Sequence, residues 1–306
     1  MTPDVPPGPA DLTERLAGRR LWLTGARGFI GGRVAALAAE HGATVLAFEG
    51  DVRDAIDVTS ADPDLMLHLA APVNVARDPS LAPLMQDVIV GGARNVRAAA
   101  EQQAQRRPVQ LVVVGTCEEY GTIAAPFHED DAPSAPVSPY AAAKLQATTE
   151  TLDAAAHASA RLVVARPFLT YGPGQRSRQL VPAAIARALA GEPFPMTAGL
   201  QTRELNYVDD IARGLLRAVL TAEAHGHVVN IGCGVEHRVV DIVRLVFRLA
   251  GADPDLIQAG ALPTRSGEVA HFYADVTRAR ALLGHQPTVA LEDGLRRTID
   301  AARETT

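Results

Sequence analysis

LWLTGARGFIG, residues 21–31, decides the fold of this chain: a short apolar run leads into a turn in which glycine recurs at every third position. Glycine lets the backbone turn tightly there, and it lets a pyrophosphate approach the N-terminus of a following helix, whose free N–H groups attract an anion. The apolar run predicts a strand and the alanine-rich stretch after the turn predicts a helix, which is the context that such a turn requires. The predicted cofactor contacts in this turn are Gly25, Arg27, Gly28, Phe29, Ile30 and Gly31.

Strands and helices alternate along the first half of the chain. The apolar periodicity predicts strands at 21–24, 44–48, 65–70, 109–114, 161–165 and 228–231, and helices at 33–40, 84–104 and 138–155. This alternation is typical of an α/β protein with a doubly wound parallel Rossmann sheet.

Changes in composition and in hydrophobic pattern divide the chain into three unequal parts. Residues 1–18 are rich in Pro and Gly and predict a flexible N-terminal arm. Residues 19–170 form the predicted dinucleotide-binding domain. Residues 171–306 form mainly a smaller, interleaved substrate-binding lobe, from which 204–232 return to the sheet domain.

Composition limits the partners of the protein. With 306 residues, 47% of them apolar, the chain can bury a large core, and its net charge of −6 argues against nucleic acid or an anionic membrane as a partner. The only cysteines, Cys117 and Cys233, have no disulfide or metal-site spacing, so we expect a reducing environment and no metal. The sequence has no secretory apolar segment near its start and no apolar run of membrane-spanning length, and we expect a cytoplasmic protein.

The segment SPYAAAK places Tyr140 and Lys144 four residues apart, on one face of a helix. A cation beside a phenol lowers the phenol's pKa, which predicts Tyr140 as a proton donor or acceptor near neutral pH. Lys144 is the only lysine of the chain. Thr116 follows the fourth strand, where ligands of parallel sheets bind, and it is the third candidate catalytic residue. Glu118 is a candidate second acid or base, or alternatively a solvated loop acid.

Two residues bear on the choice of cofactor. Glu49 ends the second predicted strand, where a carboxylate can receive the ribose hydroxyls of NAD and repel the 2′-phosphate of NADP. Arg27 could instead receive that phosphate. We expect NAD, with NADP left open.

The motifs together resemble the extended short-chain dehydrogenase/reductases that act on nucleotide sugars. They are TGARGFIG, GDVRD, HLAA, GTCEEYG, SPYAAAK, ARPFLTYGPGQ, TRELNYVDDIARG, VVNIGCG, RSGEV and ADVTRARALLG, and they extend from residue 21 to about residue 299. The resemblance implies cofactor contacts at Asp51, Val52, Leu69, Ala70, Ala71 and Pro167, in addition to Tyr140 and Lys144. It also implies substrate contacts at Cys117, Leu169, Arg203 and Arg265, and a structural role for Asp275.

Within this family, EEYG followed by PVSPY is most similar to reductases of GDP-4-keto-6-deoxymannose and other 4-ketoreductases. The 4,6-dehydratases usually carry an Asp at the position of Cys117. The resemblance implies reduction of a 4-keto-6-deoxy sugar linked to a nucleotide. The alternatives are an epimerase or 4,6-dehydratase with internally recycled NAD, or a non-catalytic dinucleotide sensor.

Three departures from the family pattern are visible. Residues 43–69 are too short for the usual two strands and the connection between them, so that Glu49 and Asp51 are expected to share one strand. Leu169 and Ile89 each stand where the family has Asn.

The helices at 84–104 and 138–155 are apolar on more than one face and build the dimer in related proteins, so a homodimer is expected.

Overall fold

The computed structural model describes residues 11–175, 179–264 and 267–304. Its strands are β1 (Arg20–Thr24), β2 (Thr44–Phe48), β3 (Leu65–His68), β4 (Gln110–Val114), β5 (Arg161–Pro167), β6 (Thr170–Tyr171), β7 (Phe194–Met196), β8 (Thr202–Glu204), β9 (Asn206–Tyr207), β10 (Val228–Ile231), β11 (Glu236–Arg238) and β12 (Ile257–Ala259). Its α-helices are α1 (Leu12–Leu16), α2 (Phe29–Glu40), α3 (Ala82–Met85), α4 (Gly92–Ala104), α5 (Pro139–Ala155), α6 (Leu180–Ala190), α7 (Val208–Leu220), α8 (Val239–Ala250), α9 (Thr277–Leu283) and α10 (Leu291–Glu304).

Six strands form one parallel sheet in the order β10-β5-β4-β3-β1-β2. The chain runs outward from β1 to β2 and then crosses to β3 on the other side of β1. The carboxyl ends of β1 and β3 are therefore the point at which strand order reverses, where ligands bind in sheets of this kind. The predicted parallel α/β sheet is confirmed.

Helices cover both faces of the sheet. On one face α2 and α7 pack against the apolar side of β1, β3 and β4. On the other face α4 packs against β3 and β4, and α5 packs against β5. Because both faces are covered, β3 and β4 are buried along their whole lengths.

The second half of the chain contributes to both parts of the molecule. β10 pairs with β5 in the main sheet, and α7 packs on α2. A separate apolar cluster joins α6, α8 and α10, and it forms the core of the smaller lobe.

Two segments differ from the sequence-based expectation. Residues 12–16, expected in a flexible arm, form α1 instead, because Leu12 and Leu16 are buried in the core beneath the sheet. The expected helix at 84–104 contains a π-helical turn at 86–91 between α3 and α4. In the described parts of the chain, no helix combines the length and the apolar character needed to cross a membrane.

Candidate active site

A cleft of about 200 Å³, partly open to solvent, lies at the carboxyl ends of β1, β2 and β3. Its floor is the glycine turn. Gly25 has a φ of +76°, and a Cβ on it would lie 2.9 Å from the Ala70 nitrogen. A Cβ on Gly31 would lie only 2.1 Å from the Gly25 carbonyl oxygen, so the turn can close only without that side chain.

The helix that follows this turn is built to receive an anion. α2 begins at Phe29, and no side chain within the described ranges caps its N-terminus. Its first N–H groups thus have no intrahelical partner and are available to a ligand. A bare backbone floor and an uncapped helix fit the pyrophosphate of a dinucleotide.

Thr24 and His68 tie the strand ends together beside the cleft. The Thr24 hydroxyl accepts hydrogen bonds from the N–H groups of Leu69 and Ala70, both at 3.1 Å, and lies 2.8 Å from His68 Nδ1. With its lone pairs occupied, the hydroxyl donates to Nδ1, which requires a neutral imidazole. Burial agrees with this assignment, since it lowers the pKa of His68 to about 3.

The loop after β2 carries three predicted cofactor contacts, and two of them line the cleft. Glu49 and Val52 line it, whereas the Asp51 carboxylate turns to Arg53, whose Nε lies 3.0 Å from both of its oxygens. Asn95 donates to the carbonyls of Val52 and Arg53 and so fixes the loop from α4. β2 ends at Phe48 and residues 49–64 contain no strand, so the expectation that Glu49 and Asp51 share one strand is wrong. Both residues lie in the loop that follows β2.

The other predicted cofactor residues divide into two groups. Arg27 and Ala70 line the cleft. The lining does not include Phe29, Ile30, Leu69, Ala71 or Pro167. Ile30 and Leu69 pack against one core cluster and Ala71 against the other.

Tyr140, Lys144 and Thr116 meet at the carboxyl end of β4. Ser138 caps α5 by accepting from the Ala141 N–H at 3.1 Å, and Pro139 occupies the first helical turn. The helix start is thereby fixed, and it places Tyr140 and Lys144 one turn apart, both nearly fully buried. Lys144 Nζ donates to the Val114 carbonyl at 2.6 Å.

Burial controls the protonation of this group. It raises the pKa of the Tyr140 phenol, and a hydrogen bond from Thr116 lowers it. Burial also lowers the pKa of Lys144 to about 8, against the raising effect of the Glu119 carboxylate. Burial is thus the largest effect on both pKa values, and the Lys144 ammonium donates to a backbone carbonyl. That Lys144 lowers the pKa of the phenol stays a prediction.

Glu118 and Cys117 follow Thr116 in a single 3₁₀ turn, residues 117–120. Burial raises the pKa of Glu118, and the guanidinium groups of Arg203 and Arg77 lower it. The Cys117 thiol is buried, and burial together with the nearby Glu118 carboxylate raises its pKa well above the ordinary value. The 3₁₀ turn thus brings an acid and a thiol next to Thr116, and the charges of two arginines act on the acid.

The predicted substrate residues lie on the lobe side of this group. Arg203, on β8, donates to the carbonyls of Thr202 and Val269 at 2.7 and 3.0 Å and pairs with Glu268 at 2.9 Å. Leu169 packs against an aromatic cluster next to Cys117. Arg265 lies outside the described residues.

Two further residues noted in the sequence, Ile89 and Asp275, make structural contacts. Ile89 is buried and lines a small cavity shared with Lys144, His68 and Thr148. The Asp275 carboxylate accepts from the Thr277 N–H at 2.9 Å, at the start of α9.

Sequence reasoning missed Glu119, Arg166, His68 and Asn95. One signal was available for Glu119: the spacing T-x-x-E from Thr116 to Glu119 is that of a capping box, which the structure contains. Arg166 pairs with Glu119 across 47 residues, and nothing local in the sequence indicates that contact.

Comparison with known proteins identifies the class. The profile of the NAD dependent epimerase/dehydratase family matches residues 21–232. A dTDP-glucose 4,6-dehydratase of Streptomyces griseus is 35% identical over 268 residues, 86% of this chain and 79% of the relative. The structure of MoeE5 in complex with UDP-glucuronic acid and NAD has a TM-score of 0.81 and 28% identity, covering 94% of this chain and 99% of that one. A UDP-glucose 4-epimerase of Thermotoga maritima with UDP-glucose has a TM-score of 0.83 and 26% identity, covering 93% and 99%.

The fold and the cleft define an NAD-binding enzyme built on a Rossmann sheet. The chain belongs to the NAD dependent epimerase/dehydratase family.

Proposed function

We propose that this enzyme reduces the 4-keto group of a 6-deoxy sugar linked to a nucleoside diphosphate. The observation that carries the proposal is the thiol of Cys117 between Thr116 and Glu118. Elimination of water from a sugar needs an acid that protonates the leaving hydroxyl. A buried thiol whose pKa is raised is a poor acid for that step, whereas carbonyl reduction does not need it.

Each residue of the group has a part in the proposed reduction. The reduced nicotinamide, when bound, supplies a hydride to the carbonyl carbon. Tyr140 gives its phenolic proton to the carbonyl oxygen, so that C=O becomes CH–OH. Thr116 donates a hydrogen bond to the same oxygen, and the Lys144 ammonium stabilises the phenolate that remains.

The apolar side chains that pack with Cys117 support a 6-deoxy sugar. Cys117, Phe168 and Phe272 belong to one buried apolar cluster at the 3₁₀ turn, and Leu169 packs against it. Burial of a C6 methyl group against these apolar side chains breaks no hydrogen bond. A buried hydroxymethyl group would leave its hydroxyl without a hydrogen-bond partner. Arg203 is the proposed contact for the substrate diphosphate, a role for which a forked donor is suited.

An epimerase or dehydratase with recycled NAD is the second candidate, and the relatives support it. UDP-glucuronate 4-epimerase of Thermodesulfobacterium geofontis is 26% identical over 319 residues, and MoeE5 was solved with UDP-glucuronic acid. The third possibility, a dinucleotide sensor without activity, would need no Tyr–Lys pair.

The stoichiometry of NAD(P)H separates these candidates. The enzyme is mixed with NADH or NADPH and a panel of nucleotide-linked 4-keto-6-deoxy sugars, and in parallel with the corresponding nucleotide hexoses. A reductase consumes one NAD(P)H for each 4-keto sugar. Conversion of a hexose without net consumption would establish the epimerase or dehydratase instead, and no conversion by an enzyme that binds NAD would favour the sensor.

Cys117→Ala is the matched variant for the residue that carries the proposal. A reductase keeps most of its turnover when the thiol is removed, because the thiol transfers no proton. A loss of ~100-fold or more, the scale of general acid catalysis, would give the thiol a catalytic role and contradict the proposal.

A further inference from the structure

A buried ion pair joins the 3₁₀ turn that follows Thr116 to the neighbouring strand β5. Glu119 has no exposed surface, and its Oε2 accepts from Arg166 Nε at 2.8 Å, where the arginine is 5% exposed. The other oxygen, Oε1, accepts from the backbone N–H of Thr116 at 2.8 Å. Both carboxylate oxygens are therefore engaged, one by the charge and the other by the backbone of the candidate catalytic loop.

Arg166 is held in turn by the strands beside it. It extends from β5, and its guanidinium carbon lies 4.6 Å from the centre of the Tyr120 ring. The Tyr120 hydroxyl donates to Asn230 Oδ1 on β10 at 2.7 Å. A rigid path of contacts thus joins β5 and β10 to the Thr116 backbone.

The space around the pair is closed. A Cβ added to Gly115 would lie 2.4 Å from Glu119 Oε1 and 3.3 Å from Arg166 Cγ. Only glycine lets the backbone directly after β4 pass this close to the carboxylate. The carboxylate cannot relax by swinging away from the Thr116 N–H without breaking the ion pair.

The Thr116 hydroxyl has a defined direction as a result. It accepts from the Glu118 N–H at 3.3 Å, which leaves its own hydrogen to donate. A hydrogen bond from the Thr116 hydroxyl lowers the pKa of the Tyr140 phenol. In the proposed reduction the same hydrogen turns to the substrate oxygen that Tyr140 protonates. A shift of the Thr116 backbone would turn this donor away from the phenol.

We propose that Glu119 and Arg166 form a positioning pair that fixes Thr116 toward Tyr140 and places one negative charge behind the Tyr140–Lys144 group. The inference rests on the proposed roles of Thr116 and Tyr140. Neither Glu119 nor Arg166 contacts the cleft, so each acts through another residue. A buried ion pair is a poor source of net stability, since apolar replacements are often as stable, so its place behind this loop calls for another reason.

Three variants separate positioning from plain structural support. Glu119→Gln keeps the shape and an oxygen for the Thr116 N–H but removes the charge. The double variant Glu119→Leu with Arg166→Met removes the pair without leaving a buried charge unpaired. Asp210→Asn is the control, because Asp210 is also a buried carboxylate that pairs with an arginine, Arg213, and accepts from backbone N–H groups, at a place remote from Tyr140.

For turnover, we expect kcat of Glu119→Gln to fall by ~10-fold or more while KM and the NADH dissociation constant stay within about twofold. The double variant should regain the wild-type melting temperature and keep the low kcat. Asp210→Asn should lose melting temperature with kcat unchanged. Recovery of kcat in the double variant in step with its melting temperature would overturn the proposal.

A second measurement does not depend on which sugar is turned over. The pKa of the Tyr140 phenol follows from the phenolate absorbance of each protein minus that of its Tyr140→Phe counterpart. The groups that face this site are Cys117, Glu118 and Glu119 from the 3₁₀ turn, Lys144 on the same helix as Tyr140, and neutral His68 from β3. Removing the Glu119 charge should lower the pKa of Tyr140, because a nearby anion disfavours the phenolate.

An unchanged phenol pKa in both Glu119 variants would refute the electrostatic part, even if the protein proved to be an epimerase. Failure of the proposed reduction has a different signature, since wild-type enzyme would then leave NAD(P)H unconsumed with every 4-keto sugar. If Glu119→Gln does not fold, the double variant supplies both measurements.

Discussion

The environment of Lys144 determines the pH at which it loses its charge. It is the only lysine in the chain, it is buried at the second turn of α5, and its ammonium donates to the Val114 carbonyl. Burial lowers its pKa from 10.5 to about 8, so the group loses its charge at a much lower pH in the folded protein than in the unfolded chain. Activity and stability should therefore respond to pH in opposite directions.

The pH dependence follows from the sign of this change. Activity that needs the ammonium is full below pH 8 and falls as the pH rises through about 8. Between about pH 8 and 10.5 the unfolded chain binds more protons at this group than the native protein. The free energy of unfolding should thus rise over that window, by up to about 3 kcal/mol.

Lys144→Met is the matched variant, measured by pH–rate profiles and by denaturant unfolding at pH 7 and pH 10. It should lack the rise in stability that wild type gains between these values, and it should bind NADH more weakly. Identical pH dependences of stability in the two proteins would contradict the assignment.

Tyr140→Phe tests the phenol itself. The ring stays and the proton donor goes, so turnover should fall by ~100-fold or more while NADH affinity, measured by fluorescence titration, changes little. Tyr171→Phe is a control, because Tyr171 is a buried phenol whose hydroxyl donates to the Leu291 carbonyl in the lobe. If both variants retained most of the wild-type turnover, Tyr140 would not be the proton donor.

At the scale of the element, the glycine turn is the part of the site that the sequence predicts best. Its requirements are local: a strand, three glycines and a helix start all lie within residues 20–40. The capped start of α5 is local in the same way, and it fixes the spacing of Tyr140 and Lys144. The loop at 49–64 and the Glu119–Arg166 pair depend on contacts between distant segments, which one sequence does not reveal.

Two neighbouring glycines of α2 offer a matched test of the turn. A Cβ on Gly31 would lie 2.1 Å from the Gly25 oxygen, whereas a Cβ on Gly32 would lie 3.3 Å from the Ala26 oxygen. Gly31→Ala should cost about 1–3 kcal/mol of stability by overpacking and weaken NADH binding at least ~10-fold, while Gly32→Ala should leave binding nearly unchanged. Equal binding by the two variants, measured by calorimetry, would show that the turn does not hold the cofactor.

At the scale of the whole molecule, the sequence predicted the sheet and its layers because each strand and helix carries its own period and end signals. It did not predict α1, since two leucines in a short Pro- and Gly-rich segment give no periodic pattern. Their burial beneath the sheet depends on a core formed by α2 and α7. The same limit applies to assembly, which depends on what the outer faces of the helices leave exposed.

The outer face of α5 carries the assembly prediction. Five exposed or partly exposed residues follow one another here at intervals of three and four: Ala142, Leu145, Thr149, Leu152 and the C-cap residue Ala156. This spacing is that of a packed helix seam, and small or apolar side chains on such a seam favour a second helix over water. We propose a homodimer in which α5, with the neighbouring α4, packs against its symmetry mate.

Sedimentation velocity should give a mass about twice the 32.2 kDa of one chain. Leu145→Glu combined with Leu152→Glu should yield a folded monomer, because a dimer would bury four carboxylates in its seam. Leu200→Glu is the control, since Leu200 is 68% exposed and lies in the lobe, away from α5. A monomeric wild type at every concentration, or a double variant that still sediments as a dimer, would place the contact elsewhere or exclude it.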